Sequence, residues 1–209
     1  KDFRAEGLTV NSDTSFTFEL TELFKTPFNP LVVNGSEGSA IFSWNNKPDA
    51  IFEDFEAMED FGKELGEWTT VDVDGVNTMY MGEFDYPFNG EALGFISFNP
   101  QATEPAMLDI YAYSGERCAA AVNADMAESD DWLISPKITE VVDGSVFSFM
   151  ARSSSDMWEL EWFRVAVSTT STDPQDFTVI SEGDFLMAPF WNWQEFSFDL
   201  SSYVGQEIY

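Results

Sequence analysis

Residues 68–75 read Trp-Thr-Thr-Val-Asp-Val-Asp-Gly, a β-branched run that begins on an aromatic residue and ends on a glycine. Aromatic and β-branched residues favour strands, and glycine favours the turn that ends a strand. Because Asp72 and Asp74 stand two residues apart at this point, the turn can aim both carboxylates at one place. Oxygen ligands brought together in this way are what a hard cation such as calcium requires. The stretch therefore predicts a strand that delivers two acidic side chains to a turn.

The spacing excludes an EF-hand loop. Counting from Asp72, Asp74 and Glu83 fall at ligand positions, but Val76 and Asn77 stand where a further ligand and the invariant glycine belong. Any cation site built on this turn must take its other ligands from distant parts of the chain.

Composition indicates a folded, strongly acidic protein. The 209 residues are 44% hydrophobic and include 21 Phe and 7 Trp, enough for a substantial core despite a net charge of −29. The excess of 38 acids over 9 bases disfavours nucleic acid and anionic membrane as partners. We find no apolar run long enough to predict direct insertion into a membrane. The single Cys118 excludes an intrachain disulfide and is expected to be an inert core thiol.

Short apolar runs separated by turn residues predict an all-β fold of two packed antiparallel sheets. Only residues 52–65 resemble a short helix. The predicted strands are residues 39–43, 51–55, 67–71, 94–98, 118–122, 132–138, 145–151, 161–168, 177–181 and 193–200. In the last of these, Phe196, Phe198 and Leu200 alternate with polar residues, which predicts a half-buried strand.

The first part of the chain has a different pattern. Turn residues break residues 1–49 into short pieces, which we interpret as a lead-in or the end of an upstream domain. Residues 50–209 form the main predicted domain. Alternatively, residues 15–20, which alternate like a strand, add an edge strand to the main sandwich.

Motifs in residues 51–209 resemble those of the cleaved-adhesin, or choice-of-anchor J, domain family of bacterial surface proteins. The resemblance rests on the order and spacing of several segments, because each motif alone is weak. These segments are residues 52–56 (Phe-Glu-Asp-Phe-Glu), 68–75, 92–100, 114–115, 130–136 (Asp-Asp-Trp-Leu-Ile-Ser-Pro), 165–170 and 193–204.

The resemblance implies a jelly-roll β-sandwich related to galactose-binding-like domains, without enzymatic activity and often stabilised by calcium. It also implies display on the cell surface or secretion. Family members continue beyond the position of Tyr209, so we expect the chain to lack the last strands of its domain. By family position, the implied calcium ligands are Glu53, Glu56, Asp72, Asp74, Asn77 and Asp131. Acidic residues at strand ends can equally serve only to solvate turns.

Tryptophans provide a second candidate site. Flat aromatic rings beside carboxylates and amides can hold sugar rings, and the candidates are Trp158, Trp162, Trp191 and Trp193. We select Trp191 and Trp193 as ligand-binding residues, because they fall on the opposite parity from Phe196 and Phe198. Burial of all four rings in the core would exclude a sugar platform.

Catalysis is the contrasting hypothesis. Paired carboxylates can cleave glycosides, but nothing singles out one pair among 38 acids. The chain has no histidine, which removes the commonest general base and the Ser-His-Asp arrangement. We therefore predict a non-enzymatic, calcium-stabilised module that binds an extracellular glycan or a host or matrix protein. The alternative is a structural spacer or accessory domain with no ligand of its own.

Overall fold

Residues 68–75 contain strand β3, Thr69–Asp72, which pairs antiparallel with β6, Asp131–Ile134. The register places Thr69 opposite Ile134 and Asp72 opposite Asp131. Two motifs that are about 60 residues apart in the sequence therefore form one ladder. Its end at Asp72 and Asp131 carries two acids directly across from each other.

The structure is a computed structural model that describes the backbone of residues 28–34 and 40–45, and both backbone and side chains of residues 51–155 and 160–209. The chain divides into two compact units, Lys1–Ile51 and Phe52–Tyr209. The sequence-based division between residues 49 and 50 lies close to this point.

In the first unit, β1 (Phe28–Asn34) pairs antiparallel with β2 (Ala40–Asn45). The sequence predicts β2 but not β1, because Asn29 and Pro30 suggest a break. The register skips between Phe28 and Leu31, so the proline, which has no N–H to donate, falls at an irregularity in the ladder. The predicted strand at residues 15–20 lies outside the described residues.

The described residues of the second unit form five antiparallel ladders, β3 with β6 and four others. These four are β4 (Ile96–Phe98) with β5 (Cys118–Ala120), β7 (Val146–Ala151) with β12 (Gln194–Asp199), β8 (Trp162–Phe163) with β11 (Leu186–Met187), and β9 (Ala166–Val167) with β10 (Thr178–Val179). Helical structure in the described ranges is confined to single 3₁₀ turns, and none is long or apolar enough to span a bilayer. The all-β prediction is confirmed.

Three local predictions were wrong. Residues 51–55 form no strand and residues 52–65 no helix; Phe55 and Phe61 instead have φ angles of 62° and 59°, a conformation that interrupts both elements. The strand predicted at residues 161–168 is divided into β8 and β9. The division falls at Val165, whose carbonyl accepts hydrogen bonds from both Ile180 and Ser181, where the pairing partner changes from β11 to β10.

Two apolar clusters fill the interior of the second unit. The first surrounds β4, where Ile96 is 0% exposed and Phe98 packs edge to face against Phe61 and Tyr86. The second joins a residue of β9 and the residue that follows β12 to the segments around residues 141 and 208; its members are Val141, Val167, Leu200 and Ile208. Between β7 and β12, Phe149 stacks on Phe196 and Phe198, as the alternation in the sequence predicts.

Cys118 begins β5, with its sulfur 3.9 Å from the Phe98 carbonyl oxygen. Burial raises the pKa of the Cys118 thiol to about 11. The thiol is therefore protonated and unreactive at neutral pH.

We expect Ile96→Ala to lower the free energy of unfolding by about 3 kcal/mol, because it leaves a cavity in the first cluster. Val146→Ala serves as a matched control, since Val146 also lies in a strand but is 55% exposed; its loss should stay within about 0.5 kcal/mol. Urea unfolding monitored by tryptophan fluorescence measures both values. Equal losses for the two variants would contradict this assignment of the core.

Candidate functional site

Three aspartates meet at the open end of the β3–β6 ladder. Asp72 ends β3, Asp131 begins β6, and Asp74 follows in the turn after β3. One carboxylate oxygen from each lies within 4.8 Å of the others. The cross-strand register causes this convergence, because residues opposite each other in a ladder have Cβ atoms about 5 Å apart.

Backbone N–H groups fix the carboxylates on the β3 side. Asp72 Oδ1 accepts a hydrogen bond from Gly75 N at 2.7 Å, and Asp74 Oδ1 accepts one from Val76 N at 2.8 Å. Gly75 has a φ of +63°, which a residue with a Cβ adopts only with strain. Gly75, which ends the 68–75 motif, thus allows the turn in which both carboxylates are held.

A second set of contacts ties this turn to the start of β6. Asp130 N donates to Asp74 Oδ2 at 2.6 Å, and Val73 N donates to the Asp130 carbonyl at 3.0 Å. The Asp130 carboxylate instead accepts from Trp132 Nε1 at 2.8 Å. Asp131 is therefore the residue of the Asp130–Asp131 pair whose carboxylate joins the group.

The electrostatics of the group centre on Asp131. Burial raises the pKa of its carboxyl to about 7, and the negative charges of Asp74, Asp72 and Asp130 contribute to the same rise. Asp131 Oδ1 is buried and has no hydrogen-bond partner. A buried acceptor without a partner, surrounded by like charges, is stabilised by a proton or by a cation.

Two of the other three predicted ligands, Glu53 and Glu56, lie outside this group of carboxylates. Glu53 Oε1 accepts a hydrogen bond from Phe55 N at 2.7 Å, within its own turn. Asn77 is exposed, and its backbone pairs with Ala92. The structure therefore joins Asp72, Asp74 and Asp131, but not the 52–56 segment that the resemblance implied as a partner.

Glu56 has a different set of contacts. Its Oε1 accepts hydrogen bonds from Glu116 N at 2.9 Å and Arg117 N at 2.7 Å, and its Oε2 lies 3.6 Å from Arg117 Nη1. Asp60 also binds Arg117, with a carboxylate oxygen 2.8 Å from Nε. Glu56 thus anchors the turn before β5.

The tryptophans differ in exposure. Trp191 is 73% exposed, whereas Trp193 is half-buried, lies edge-on to Tyr113 and has a buried ring nitrogen without a hydrogen-bond partner. Trp162 is 55% exposed and packs against Phe185, and Trp158 lies outside the described residues. Because two of the rings are exposed, a sugar platform is not excluded.

Trp191 borders an open cleft of about 370 Å³. Sequence reasoning selected only Trp191 of its lining, which also includes Leu108, Asp109, Tyr111, Arg152 and Phe190. The alternation of Tyr111 and Tyr113 in residues 110–113 (Ile-Tyr-Ala-Tyr) was the sequence pattern that could have indicated an aromatic surface here. Arg152 lies in an Arg-Ser-Ser-Ser segment that resembles an ordinary loop.

Comparison with known proteins gives three findings. Hemagglutinin A of Porphyromonas gingivalis is 33% identical over 98 residues, which covers 38% of this chain and 4% of that protein. The chain therefore spans a small fraction of that relative's length. A crystal structure of the K2 cleaved adhesin domain of Lys-gingipain aligns with a TM-score of 0.47 at 19% identity, covering 75% of this chain and 86% of that chain.

The third finding concerns the family. The family profile described as Cleaved Adhesin Domain matches residues 52–189. These residues include the β3–β6 ladder with its three aspartates. They end at Pro189, the residue before Phe190. The match extends over more than half of the chain, and the chain belongs to the Cleaved Adhesin Domain family.

Proposed function

We propose that this chain is a non-enzymatic adhesion module of a bacterial surface or secreted protein, and that calcium held by Asp72, Asp74 and Asp131 stabilises it. Domains of this family mediate binding to other molecules. The observation that carries the calcium part is the convergence of three carboxylates, one of which has a buried oxygen without a hydrogen-bond partner.

The donor set fits calcium. Calcium prefers hard oxygen ligands, several of them carboxylates, and tolerates irregular geometry. All three side chains offer carboxylate oxygens, and the orphaned Asp131 Oδ1 is among them. Bound calcium supplies the positive charge that joins the turn after β3 to the start of β6, where carboxylates otherwise repel one another.

A hydrolytic role is less well supported by the same residues. Glycosidase carboxyl pairs stand about 5–9.5 Å apart, with room for a sugar and often a water between them. Here three carboxylate oxygens crowd within 4.8 Å, and the cleft bordered by Trp191 is lined by other residues. Crowded acids of this kind favour a cation over a substrate.

An extracellular glycan or a host or matrix protein is the proposed partner. The relative named Hemagglutinin A supports a setting at the bacterial surface, and the exposed ring of Trp191 supports glycan contact.

The adhesion proposal predicts binding on a glycan array or to immobilised matrix proteins, in buffer containing calcium. Trp191→Ala should weaken glycan binding about tenfold, because stacking area is lost from an exposed ring. Trp162→Ala is a matched control that removes another exposed tryptophan. Failure to bind on both surfaces would contradict adhesion and favour the spacer alternative.

Chelation should destabilise the protein. At calcium concentrations about 100-fold above the dissociation constant, binding adds about 2.7 kcal/mol, which corresponds to a rise in melting temperature of about 5–10 °C for a domain of this size. Calorimetry with calcium, with EDTA and with EDTA followed by excess calcium measures the shift and its reversal. Identical melting temperatures in all three would contradict the proposal.

Variants locate the source of that shift. Asp72→Asn and Asp131→Asn should abolish the calcium response, because each removes a charged ligand. Glu56→Ala should keep the full response while lowering the baseline stability by about 1 kcal/mol, since Glu56 binds the backbone of residues 116 and 117. Loss of the response in Glu56→Ala would instead identify Glu56 as a ligand.

The calcium-free protein should lose stability as pH rises from about 4 to about 7. The folded-state pKa of Asp131, about 7, lies above its unfolded value of about 3.9. The protonated group therefore stabilises the fold at low pH, and this contribution is lost as pH rises through the folded pKa. Allowing for solvent screening of a half-buried group, the loss is about 2 kcal/mol.

Asp131→Asn isolates this effect from the titration of the other acids. Its free energy of unfolding in EDTA should exceed that of the parent protein increasingly between pH 4 and 7. Asp143→Asn, in an exposed turn, should follow the parent curve. Parallel curves for the parent and Asp131→Asn would contradict the raised pKa.

A further inference from the structure

The cleft beside Trp191 lies at one end of the β7–β12 ladder. The last pair of that ladder is Ala151 with Gln194. Arg152 follows β7 directly, and Trp191 precedes β12 by three residues. Antiparallel pairing therefore brings a cation and an exposed indole to the same end of the ladder.

Ser153 fixes the two sides of the cleft relative to each other. It is 0% exposed; its hydroxyl donates to the Ala188 carbonyl at 2.7 Å and accepts from Glu161 N at 2.9 Å. Its backbone N–H donates to the Pro189 carbonyl at 2.9 Å. These bonds attach the residue after Arg152 to the segment that leads into Phe190 and Trp191, so the cleft is held in place before any ligand arrives.

Arg152 lines this cleft and carries an incompletely satisfied guanidinium. Its Cζ lies 4.6 Å from the centre of the Tyr111 ring, and its Nε donates to the Ser153 carbonyl at 3.3 Å. Nη1 is buried and has no hydrogen-bond partner. Within the part of the chain that the structure describes, Arg152 forms no ion pair, whereas Lys63, Arg117 and Lys137 each do.

An unpaired donor of this kind predicts the chemistry of its ligand. A buried charged donor without an acceptor is costly, and a planar guanidinium matches a carboxylate with two parallel hydrogen bonds. Stacking on Tyr111 holds the guanidinium plane in place. An oxyanion such as a carboxylate is therefore the ligand group that fits Arg152.

The remaining walls fit the body of a sugar. Trp191 and Tyr111 are 73% and 48% exposed, and Phe190 packs against Trp191 with ring centres 4.4 Å apart. Such rings offer flat apolar faces for the C–H groups of a pyranose. The exposed carboxylate of Asp109, also in the lining, accepts hydrogen bonds from hydroxyl groups.

Size and backbone structure favour a sugar over a peptide. The volume of about 370 Å³ is near the lower end of small-molecule sites, about 300–1,000 Å³, and suits one or two rings. None of the six lining residues belongs to a strand, so the cleft has no strand edge along which a peptide could pair.

We propose that this cleft binds an acidic sugar, a pyranose bearing a carboxylate such as a uronic or sialic acid residue, with Arg152 on the carboxylate and Trp191 on the ring. The proposal rests on the adhesion function above and names its ligand class. The net charge of −29 repels long polyanions, but at physiological salt that repulsion is screened beyond about 8 Å. A single acidic residue is therefore the expected unit of recognition.

The test compares each acidic sugar with its own methyl ester, which differs only in the lost charge. Methyl β-glucuronide and the methyl glycoside of N-acetylneuraminic acid are titrated with their esters into the isotopically labelled chain, with calcium and 0.15 M salt, and followed by ¹H–¹⁵N NMR. At least one acid should bind tenfold or more tightly than its ester and shift the Trp191 indole signal. Equal affinity of acid and ester for both sugars would overturn the proposal.

Variants assign the selectivity to Arg152. Arg152→Gln should reduce the affinity for the acid to that for the ester. Arg152→Lys should retain part of the difference, since lysine keeps the charge but lacks the planar pair of donors. Arg164→Gln is the matched control, because Arg164 also stacks on an aromatic ring, Phe185 at 4.2 Å, and donates to a backbone carbonyl, but is exposed and outside the cleft. Undiminished selectivity in Arg152→Gln, or equal loss in Arg164→Gln, would overturn the assignment.

Two further measurements separate this proposal from peptide binding and from the calcium proposal. An acetylated tripeptide with a free carboxyl end that shifts the same signals with the affinity of the sugar acids would overturn the sugar assignment. The melting temperature of each sample with calcium and with EDTA checks folding and reports on the aspartate group independently. A calcium response without acid selectivity contradicts only the cleft, and acid selectivity without a calcium response contradicts only the metal.

Discussion

The crowding of negative charge at the open end of the β3–β6 ladder is the constraint on which the site depends. Antiparallel register places Asp72 opposite Asp131, and like charges directly across a ladder are destabilising. The backbone compensates in part, because Gly75, Val76 and Asp130 donate N–H groups to the carboxylates of Asp72 and Asp74. Asp131 has no such donor at Oδ1. The negative charge that the backbone does not compensate is therefore that of the Asp131 carboxylate.

The same logic explains why other acids in the chain do not join the group. Glu56 and Asp60 surround Arg117, and Glu56 also accepts two backbone N–H groups from the turn before β5. Their charge is already balanced where they stand. A cluster becomes a candidate cation site when its acids converge without a cation of the protein's own, and in the described chain this condition separates the three aspartates from the Arg117 network.

Sequence reasoning predicted what depends on local pattern. The alternation of Phe196, Phe198 and Leu200 and the strand-and-turn motif around Asp72 are such patterns, whereas Asp131 was named as a partner of Asp72 and Asp74 only through the family resemblance. It could not predict which donors compete for a carboxylate, because the partners of Glu56 lie about 60 residues away. The same limit applies to Arg152, whose significance arises only from the ladder end that brings Trp191 beside it.

The two proposed sites share a physical cause. The chain has 38 acids and 9 bases, and among the described residues Lys63, Arg117 and Lys137 each lie beside an acid. Arg164 is exposed and is balanced by water. Among the described residues, Nη1 of Arg152 is buried without an acceptor, just as Oδ1 of Asp131 is buried without a donor. Each of these buried atoms lies at the end of a two-stranded ladder, where strand pairing has ended, and we propose that a group from outside the chain completes each of them.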